Sequence, residues 1–527
     1  MRVRIALLSA IGVAASAAAD VRTPVLLWKD GGCTSYCPTG WYSSPAVVDV
    51  DGDGVPEVIA GAYSVVVLDP QTGITRHTLA ESARVWADIA VADLAHDGNV
   101  SAVAGFSDGK VYVLDATLAA RAGWPVTLFG GHEPRALALG DLDANGRYAI
   151  VAGDAAGVST GQVDVRAANG TERAGWPRMQ AGDSGYGAGI YNDNIAIADL
   201  NGAGRPQIFV PSDVHYMMAF NADGSQVAAN LLFGNPAKVW SQVGVYVDQA
   251  YDIQGYGPCG SVSPTLRPNF NSSAPAVGDV NGDGKLELAV VGDVYDCTAG
   301  DSPAADVYHL PMLFNGDRTR FSAGGADWTT FPAPSAGSAP LSEDYNVIQS
   351  AQPNAVLADL DGDGAAEFLY SSYDGKVHAY WLDKTEHGNW PFAIPGSGFH
   401  FASPPVVAEL YHDGKIEILF ATWPENSATE NGKLYILDAQ ANVLQAVDLP
   451  PPLGGSTWNG GLASPTLAIL PGSRDMAVVL NTWASGVVAY DLPGTAYART
   501  LWPTGRGGYL RNGRAFNDRV FADDIGG

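Results

Sequence analysis

The sequence predicts an all-β chain assembled from one repeated unit, and three observations carry that prediction. A short acidic loop followed by an apolar run recurs about eight times along the 527 residues. Glycine is frequent, at 63 residues, and no long segment has the apolar spacing of an amphipathic helix. The runs between the loops are short, apolar or alternating, and of strand length.

The repeat reads DVDGDGVPEVIAG from Asp49, DLAHDGNVSAVAG from Asp93, DLDANGRYAIVAG from Asp141 and DLNGAGRPQIFVP from Asp199. It continues as DVNGDGKLELAVV from Asp279, DLDGDGAAEFLYS from Asp359 and ELYHDGKIEILFA from Glu409, with a worn copy over 467–480. Small residues and proline precede it (SSPAVV, SAPAVG, ASPPVV, ASPTLA), and a turn with an alternating run such as GKVYVLD or GKLYILD follows. These segments read as strands A, B and C of one unit, with the acidic loop between A and B. GWPVTLF from Gly123, GWPRMQ from Gly175 and NWPFAI from Asn389 supply an outer strand D, where proline is tolerated because an edge N–H needs no partner. Trp502 stands in the same Trp-Pro context. Four-stranded units arranged radially make a β-propeller, which covers each sheet with its neighbours. Eight blades follow from the repeat count, and seven remain open. Loop spacings of 44, 48, 58, 80, 80 and 50 residues place long insertions near 230–272 and 320–352, where specificity is expected to reside.

Residues 1–19 carry Arg2 and Arg4, an apolar run and then Ala17, Ala18 and Ala19, the layout of a secretory signal. The apolar run is shorter than the roughly 20 residues of a spanning helix. We therefore expect a secreted or periplasmic protein, a single propeller over 20–527 without a transmembrane segment. The formal charge of -27 repels phosphate backbones and argues against nucleic acid as a partner.

The loop pattern D-x-[DN]-x-D-G-x-x-E between two strands resembles the calcium loop of FG-GAP and VCBS repeat propellers, the integrin α N-terminal type, over nearly the whole mature chain. Such propellers usually have seven blades. Oxygens at positions 1, 3 and 5 converge on one point when the chain turns at a glycine, and position 9 closes a cage of the kind a hard cation needs. Three copies are complete: Asp49, Asp51, Asp53 and Glu57; Asp279, Asn281, Asp283 and Glu287; Asp359, Asp361, Asp363 and Glu367. The resemblance adds the position-7 carbonyls of Val55, Lys285 and Ala365. It implies structural Ca2+ at about three strong sites. An EF-hand would need a glutamate at position 12, where Ala60, Val290 and Tyr370 stand. The loops at Asp93, Asp141, Asp199 and Glu409 lack one or more ligands. Magnesium suits this flexible, oxygen-rich loop less well than calcium.

Four cysteines in an exported chain suggest two disulfides. Proximity pairs Cys33 with Cys37, leaving Cys259 with Cys297; a four-cysteine zinc site would need paired C-x-x-C spacing, which is missing. His96 and His412 sit at loop position 4 and read as solvated. No G-x-S-x-G, H-E-x-x-H or Walker motif occurs. Trp124, Trp176 and Trp390 read as packing between blades.

Two function classes stay in view. The first is a non-catalytic, monomeric binding or adhesion module for an extracellular glycan or protein. The second is a polysaccharide-degrading enzyme, a lyase similar to the rhamnogalacturonan lyases, for which a cluster of Arg, Lys and His on one face would be the discriminating feature. Thin candidates for that cluster are His132 with Arg135, Arg267 and His400. The D-to-A and B-to-C connections, opposite the acidic loops, carry an aromatic residue in nearly every unit, among them Trp41, Tyr42, Trp86, Tyr191, Tyr295, Phe401 and Trp458. Tyr63, Tyr373, Trp423 and Trp483 are the expected ligand contacts on that face.

Overall fold

The computed structural model describes residues 21–37, 42–80, 83–157, 160–185, 187–235, 238–254, 266–296, 298–299, 305–334, 337–425 and 429–515. The expected signal segment, Trp41, Cys259 and Cys297 lie outside the described residues. Eight antiparallel blades surround a central axis, which settles the blade number left open by the repeat count. The first blade shows the plan, with Ala46–Val48, Glu57–Gly61, Ser64–Leu68 and Thr75–Ala80 as strands A to D. Pairing of Ala46 with Ile59 and Val48 with Glu57 leaves 49–56 as the acidic loop. Strands B and C are buried along their whole length, because neighbouring blades cover both faces of each sheet. Only the outer strand Thr75–Ala80 is exposed.

The tryptophans join blade to blade through one recurring bond. Trp124 Nε1 donates to the Ala168 carbonyl, Trp328 Nε1 to that of Leu382 and Trp390 Nε1 to that of Ala439, each at 2.9 Å. Trp28 Nε1 makes the same bond to Pro70. That last contact belongs to the ring closure: Val25–Gly31 pairs with Val487–Asp491, so the N-terminal strand supplies strand D of the eighth blade. Cys33 and Cys37 form a disulfide just after it.

The C-terminal segment occupies the hub. Arg499–Trp502 pairs with the innermost strand Val406–Glu409 of the seventh blade, which corrects the expectation that Trp502 marks an outer strand. Its neighbour is an inner strand because the inner strands present a ring of N–H groups that need acceptors. The following residues supply them: Pro503 accepts from Leu467, Tyr509 from Val91, Leu510 from Leu139, Asn512 from Ile197 and Gly513 from Val277, at 2.8–2.9 Å. Arg511 is 0% exposed and donates to the carbonyls of Ile89, Gly505 and Pro45. Arg506 reaches the carbonyls of Ile195 and Pro275. Among the described residues no helix is long and apolar enough to cross a membrane.

Candidate functional site

The acidic loops share one backbone whatever their ligands. Position 4 takes a positive φ in every recognisable copy, as Gly52, His96, Ala144, Gly202, Gly282, Gly362 and His412. The first acidic residue then accepts the N–H of position 6, as in Gly54 to Asp49 at 2.8 Å and Gly284 to Asp279 at 2.7 Å. One oxygen of the position-9 glutamate accepts the N–H of position 2, as in Val50 to Glu57 at 3.0 Å and Leu360 to Glu367 at 2.6 Å.

The complete loops gather more carboxylate charge than the nearby cations among the described residues, Arg76 and Lys285, balance. Asp49, Asp51 and Asp53 bring three oxygens within 4.8 Å of one another, as do Asp359, Asp361 and Glu367. Glu57 is 2% exposed, and its Oε1 has no hydrogen-bond partner, although the Arg76 guanidinium stands 3.5 Å away. Burial, and then the neighbouring aspartates, push the Glu287 carboxyl up to about 7 and that of Glu367 to about 9. A buried, under-bonded carboxylate among aspartates fits an oxygen-liganded cation.

The incomplete loops close by themselves. At Asp199, Gln207 Nε2 donates to Asn201 Oδ1 at 3.2 Å and to the Arg205 carbonyl at 2.9 Å, the position-3 and position-7 oxygens. Arg121 donates to Ser101 Oγ and the Val100 carbonyl in the loop of Asp93. Arg173 forms a two-pronged pair with Asp143, and Arg499 pairs with Glu409. Each loop that has lost a ligand has a built-in donor or cation.

The opposite face holds a cavity of about 1360 Å³. Its floor is made by the fifth blade, whose B and C strands, Glu287–Asp296 and Asp306–Phe314, run well past the five residues usual in the other blades. Glu287 sits at the acidic loop, and Asp293 lies about 20 Å further along the strand at 3.3 Å per residue. A strand from the first insertion, Leu266–Asn269, pairs with this extension. Two rows result: Arg267, Tyr295 and Asp306 stand side by side across three strands, and Asn269, Asp293 and His309 form the next row. All six line the cavity. Residues two apart on a strand share a face, so the sheet presents a polar grid.

The grid is tightly bonded inside and open toward the cavity. Tyr373 donates its hydroxyl to Asp293 Oδ1 at 2.9 Å and stacks on His309 at 3.7 Å. Burial raises both the Asp293 and Asp306 carboxyls, Asp306 to about 7; the Asp306 charge adds to the cost of ionising Asp293, whereas Asp293 offsets part of the rise at Asp306. Burial holds His215 and His309 down to about 3, so both imidazoles are neutral near pH 7. Around the cavity, Asn192 Oδ1, Asn269 Oδ1, Asp306 Oδ2, His215 Nε2 and Gln352 Nε2 are buried without a hydrogen-bond partner among the described residues. Trp86, Tyr191, Tyr295 and Tyr345 supply aromatic wall, with Arg135 lying 4.2 Å over the Trp86 ring.

Of the contacts expected from sequence, Tyr373 lines the cavity, as do Arg135 and Arg267. Tyr63 is 42% exposed and does not line it. Trp423 is buried and packs with Trp458 and Trp483 in an aromatic cluster beside Phe401, because the seventh and eighth blades close over their own connections. His132 is not on the cavity wall, and His400 instead contacts the Ser397 carbonyl. Sequence reasoning missed Asp293, Asp306, His215, His309 and Gln352. The signal was GDVYD, polar residues continuing strand B where the other units turn.

No protein-family model matches the chain, and no curated protein matches it in sequence. Solved propellers do resemble it in shape. The exotype rhamnogalacturonan lyase YesX is 16% identical, with a TM-score of 0.51 over 93% of this chain and 81% of that one. Quinohemoprotein alcohol dehydrogenase from Comamonas testosteroni is 13% identical, with a TM-score of 0.49 over 90% and 77%. BamB from Moraxella catarrhalis is 14% identical, with a TM-score of 0.39 over 86% and 97%. At these identities the likeness is one of fold: the chain is an eight-bladed β-propeller.

Proposed function

We propose that this chain is an exported propeller of the FG-GAP/VCBS type, braced by calcium, that binds a carbohydrate in the cavity opposite its acidic loops. One observation carries the ligand class. The buried, unpartnered atoms around the cavity mix acceptors (Asn192 Oδ1, Asn269 Oδ1), a donor (Gln352 Nε2) and groups that serve as either. Hydroxyls, which donate and accept at once, satisfy such a mixture, and the tyrosine and tryptophan walls suit sugar C–H faces. Calcium at the loops of Asp49, Asp279 and Asp359 would tie strand A to strand B in three blades and leave the cavity to the ligand. The Cys33–Cys37 disulfide supports an oxidising compartment.

Binding of the full chain to a glycan panel, with Gln352→Ala and Asn192→Ala as variants of unchanged melting temperature, tests this reading. Loss of binding in both variants supports it, and unaffected binding places the ligand elsewhere.

A second reading, an extracellular polysaccharide lyase, is favoured by the meeting of Arg135, Arg267, His215 and His309 in one cavity, the cluster that separates the two classes. The fold shared with a rhamnogalacturonan lyase is consistent with it. Turnover of pectic polysaccharides would decide in its favour.

A further inference from the structure

We propose that the acid end of this cavity seats the protonated amine of an amino sugar, held by Asn269, Asp293 and Asp306. The inference rests on the reading of the cavity as the sugar site and names the class of sugar. Leu266–Asn269, Glu287–Asp296 and Asp306–Phe314 lie side by side, so Asn269 stands directly opposite Asp293, with Asp306 diagonal to it on the same face. All three side chains line the cavity, and Asp213 adds a further carboxylate to the wall. Asn269 Oδ1 and Asp306 Oδ2 are buried acceptors without a hydrogen-bond partner among the described residues, and Asp306 is only 8% exposed. His215 Nε2, Gln352 Nε2 and Asn192 Oδ1, each on a side chain no more than 3% exposed and likewise unpartnered, show independently that polar ligand atoms belong in this space.

The match of donors to acceptors selects the ligand. A hydroxyl brings one donor to a cluster of acceptor oxygens, whereas an ammonium brings three, together with the positive charge that carboxylates attract. The charges that act on Asp306 are those of Asp213 and Glu343, both acidic, and an ammonium beside it reverses that repulsion. The arginines of the wall serve other groups. Arg135 lies 4.2 Å over the Trp86 ring and its Nε donates to Glu133 Oε2 at 2.6 Å, while the Arg267 charge acts on His215 and Tyr246. A bare metal ion fits less well. Among the described residues, three ligand atoms of acidic or imidazole side chains come within 4.8 Å of one another only in the loops of Asp49 and Asp359. The acid end is wider than such a cage and suits a polyatomic cation. Burial, and then Asp306, Tyr295, Asp293 and Asp213, hold the Tyr345 hydroxyl above its ordinary value, so that ring stands at the same end. With Tyr295 and Tyr373 it supplies the aromatic surface that favours both a cation and a sugar ring. The net charge of -27 draws a cationic glycan toward the protein.

The test is calorimetric titration of the full chain with calcium present, in about 0.15 M salt, which screens exposed charges far more than buried ones. The probes are a glucosamine tetrasaccharide, its fully N-acetylated counterpart, a neutral glucose tetrasaccharide and a lysine tetrapeptide. The wild type should bind the glucosamine oligomer with unit stoichiometry and about 10- to 100-fold more tightly than the acetylated one, the range set by a hydrogen bond to a charged group. Asp306→Asn, which keeps the shape and removes the charge, should erase that preference while binding the acetylated oligomer as the wild type does. Equal affinity for the free and acetylated oligomers, or a preference that survives in Asp306→Asn, would overturn the amine seat while leaving the sugar site standing. A lysine tetrapeptide bound as tightly as the glucosamine oligomer would overturn it in favour of a basic peptide. If none of the oligosaccharides binds, the sugar site itself is wrong and the inference falls with it.

Discussion

Gln207 donates its side-chain amide to Asn201 Oδ1 at 3.2 Å, so one neutral side chain closes a loop that its complete counterparts build from repelling carboxylates. Gln207→Glu would set an acceptor against the acceptors Asn201 Oδ1 and the Arg205 carbonyl. The variant should lose about 1–3 kcal/mol in EGTA, read from denaturant midpoints, and calcium should restore part of that loss. A variant as stable as the wild type in EGTA would show that the amide carries no such role.

Calcium itself should act at the three complete loops. Chelation is expected to lower the melting temperature by more than a few degrees, since a site filled at a hundredfold over its Kd contributes about 2.7 kcal/mol. Calorimetric titration should find about three strong sites, and Asp363→Ala should remove one of them. A stoichiometry near seven would mean that Arg121, Arg173, Gln207 and Arg499 yield to the ion.

The hub makes a prediction independent of metal. Arg511, fully buried between the carbonyls of Ile89, Gly505 and Pro45 and 3.8 Å from Asp88, cannot be shortened without stranding them. Arg511→Leu should cost about 3–5 kcal/mol. Native-state hydrogen exchange should then speed up at Val91, Leu139, Ile197 and Val277, whose N–H groups the segment covers. Protection unchanged at those amides would mean that the segment stays docked without the arginine.

What could be read in the sequence was what repeats. The loop at Asp49 and the strand after it carry their own turn chemistry and apolar run, so blade count, strand order and the packing role of Trp124, Trp176 and Trp390 were legible. The hub segment was not: PTGRGGYLRNG has no strand alternation, and its partners are backbone groups from separate blades, which no local pattern encodes. The cavity grid was hidden for a related reason. Asp293 and Asp306 are 13 residues apart around a turn, and only the cross-strand register sets them on one face beside Arg267. Trp483 lies in an expected connection and Trp423 near the end of the strand Glu417–Glu425 that leads into one, yet an aromatic residue there has two destinations, cavity wall or inter-blade packing, and burial alone tells them apart.

The last prediction follows from the cost of burying Asp306. Its carboxyl is pushed up to about 7 by burial and by the charges that face it, Asp213 and Glu343, against an unfolded value near 3.9. The folded state therefore holds a proton that the unfolded state has released between those values. Its contribution is intact below about pH 4 and is lost as pH rises toward 7. His215 and His309 work the other way: their lowered values withdraw stability as pH falls from 6.5 toward 3, and they affect wild type and variant alike. Asp306→Asn removes the ionising group and keeps its shape. The variant should match the wild type near pH 4 and become more stable than it by a few kcal/mol near pH 7. Denaturant melts of both proteins across that range read the difference directly. A gap that stays constant from pH 4 to 7 would mean that Asp306 ionises in the fold as freely as it does in water.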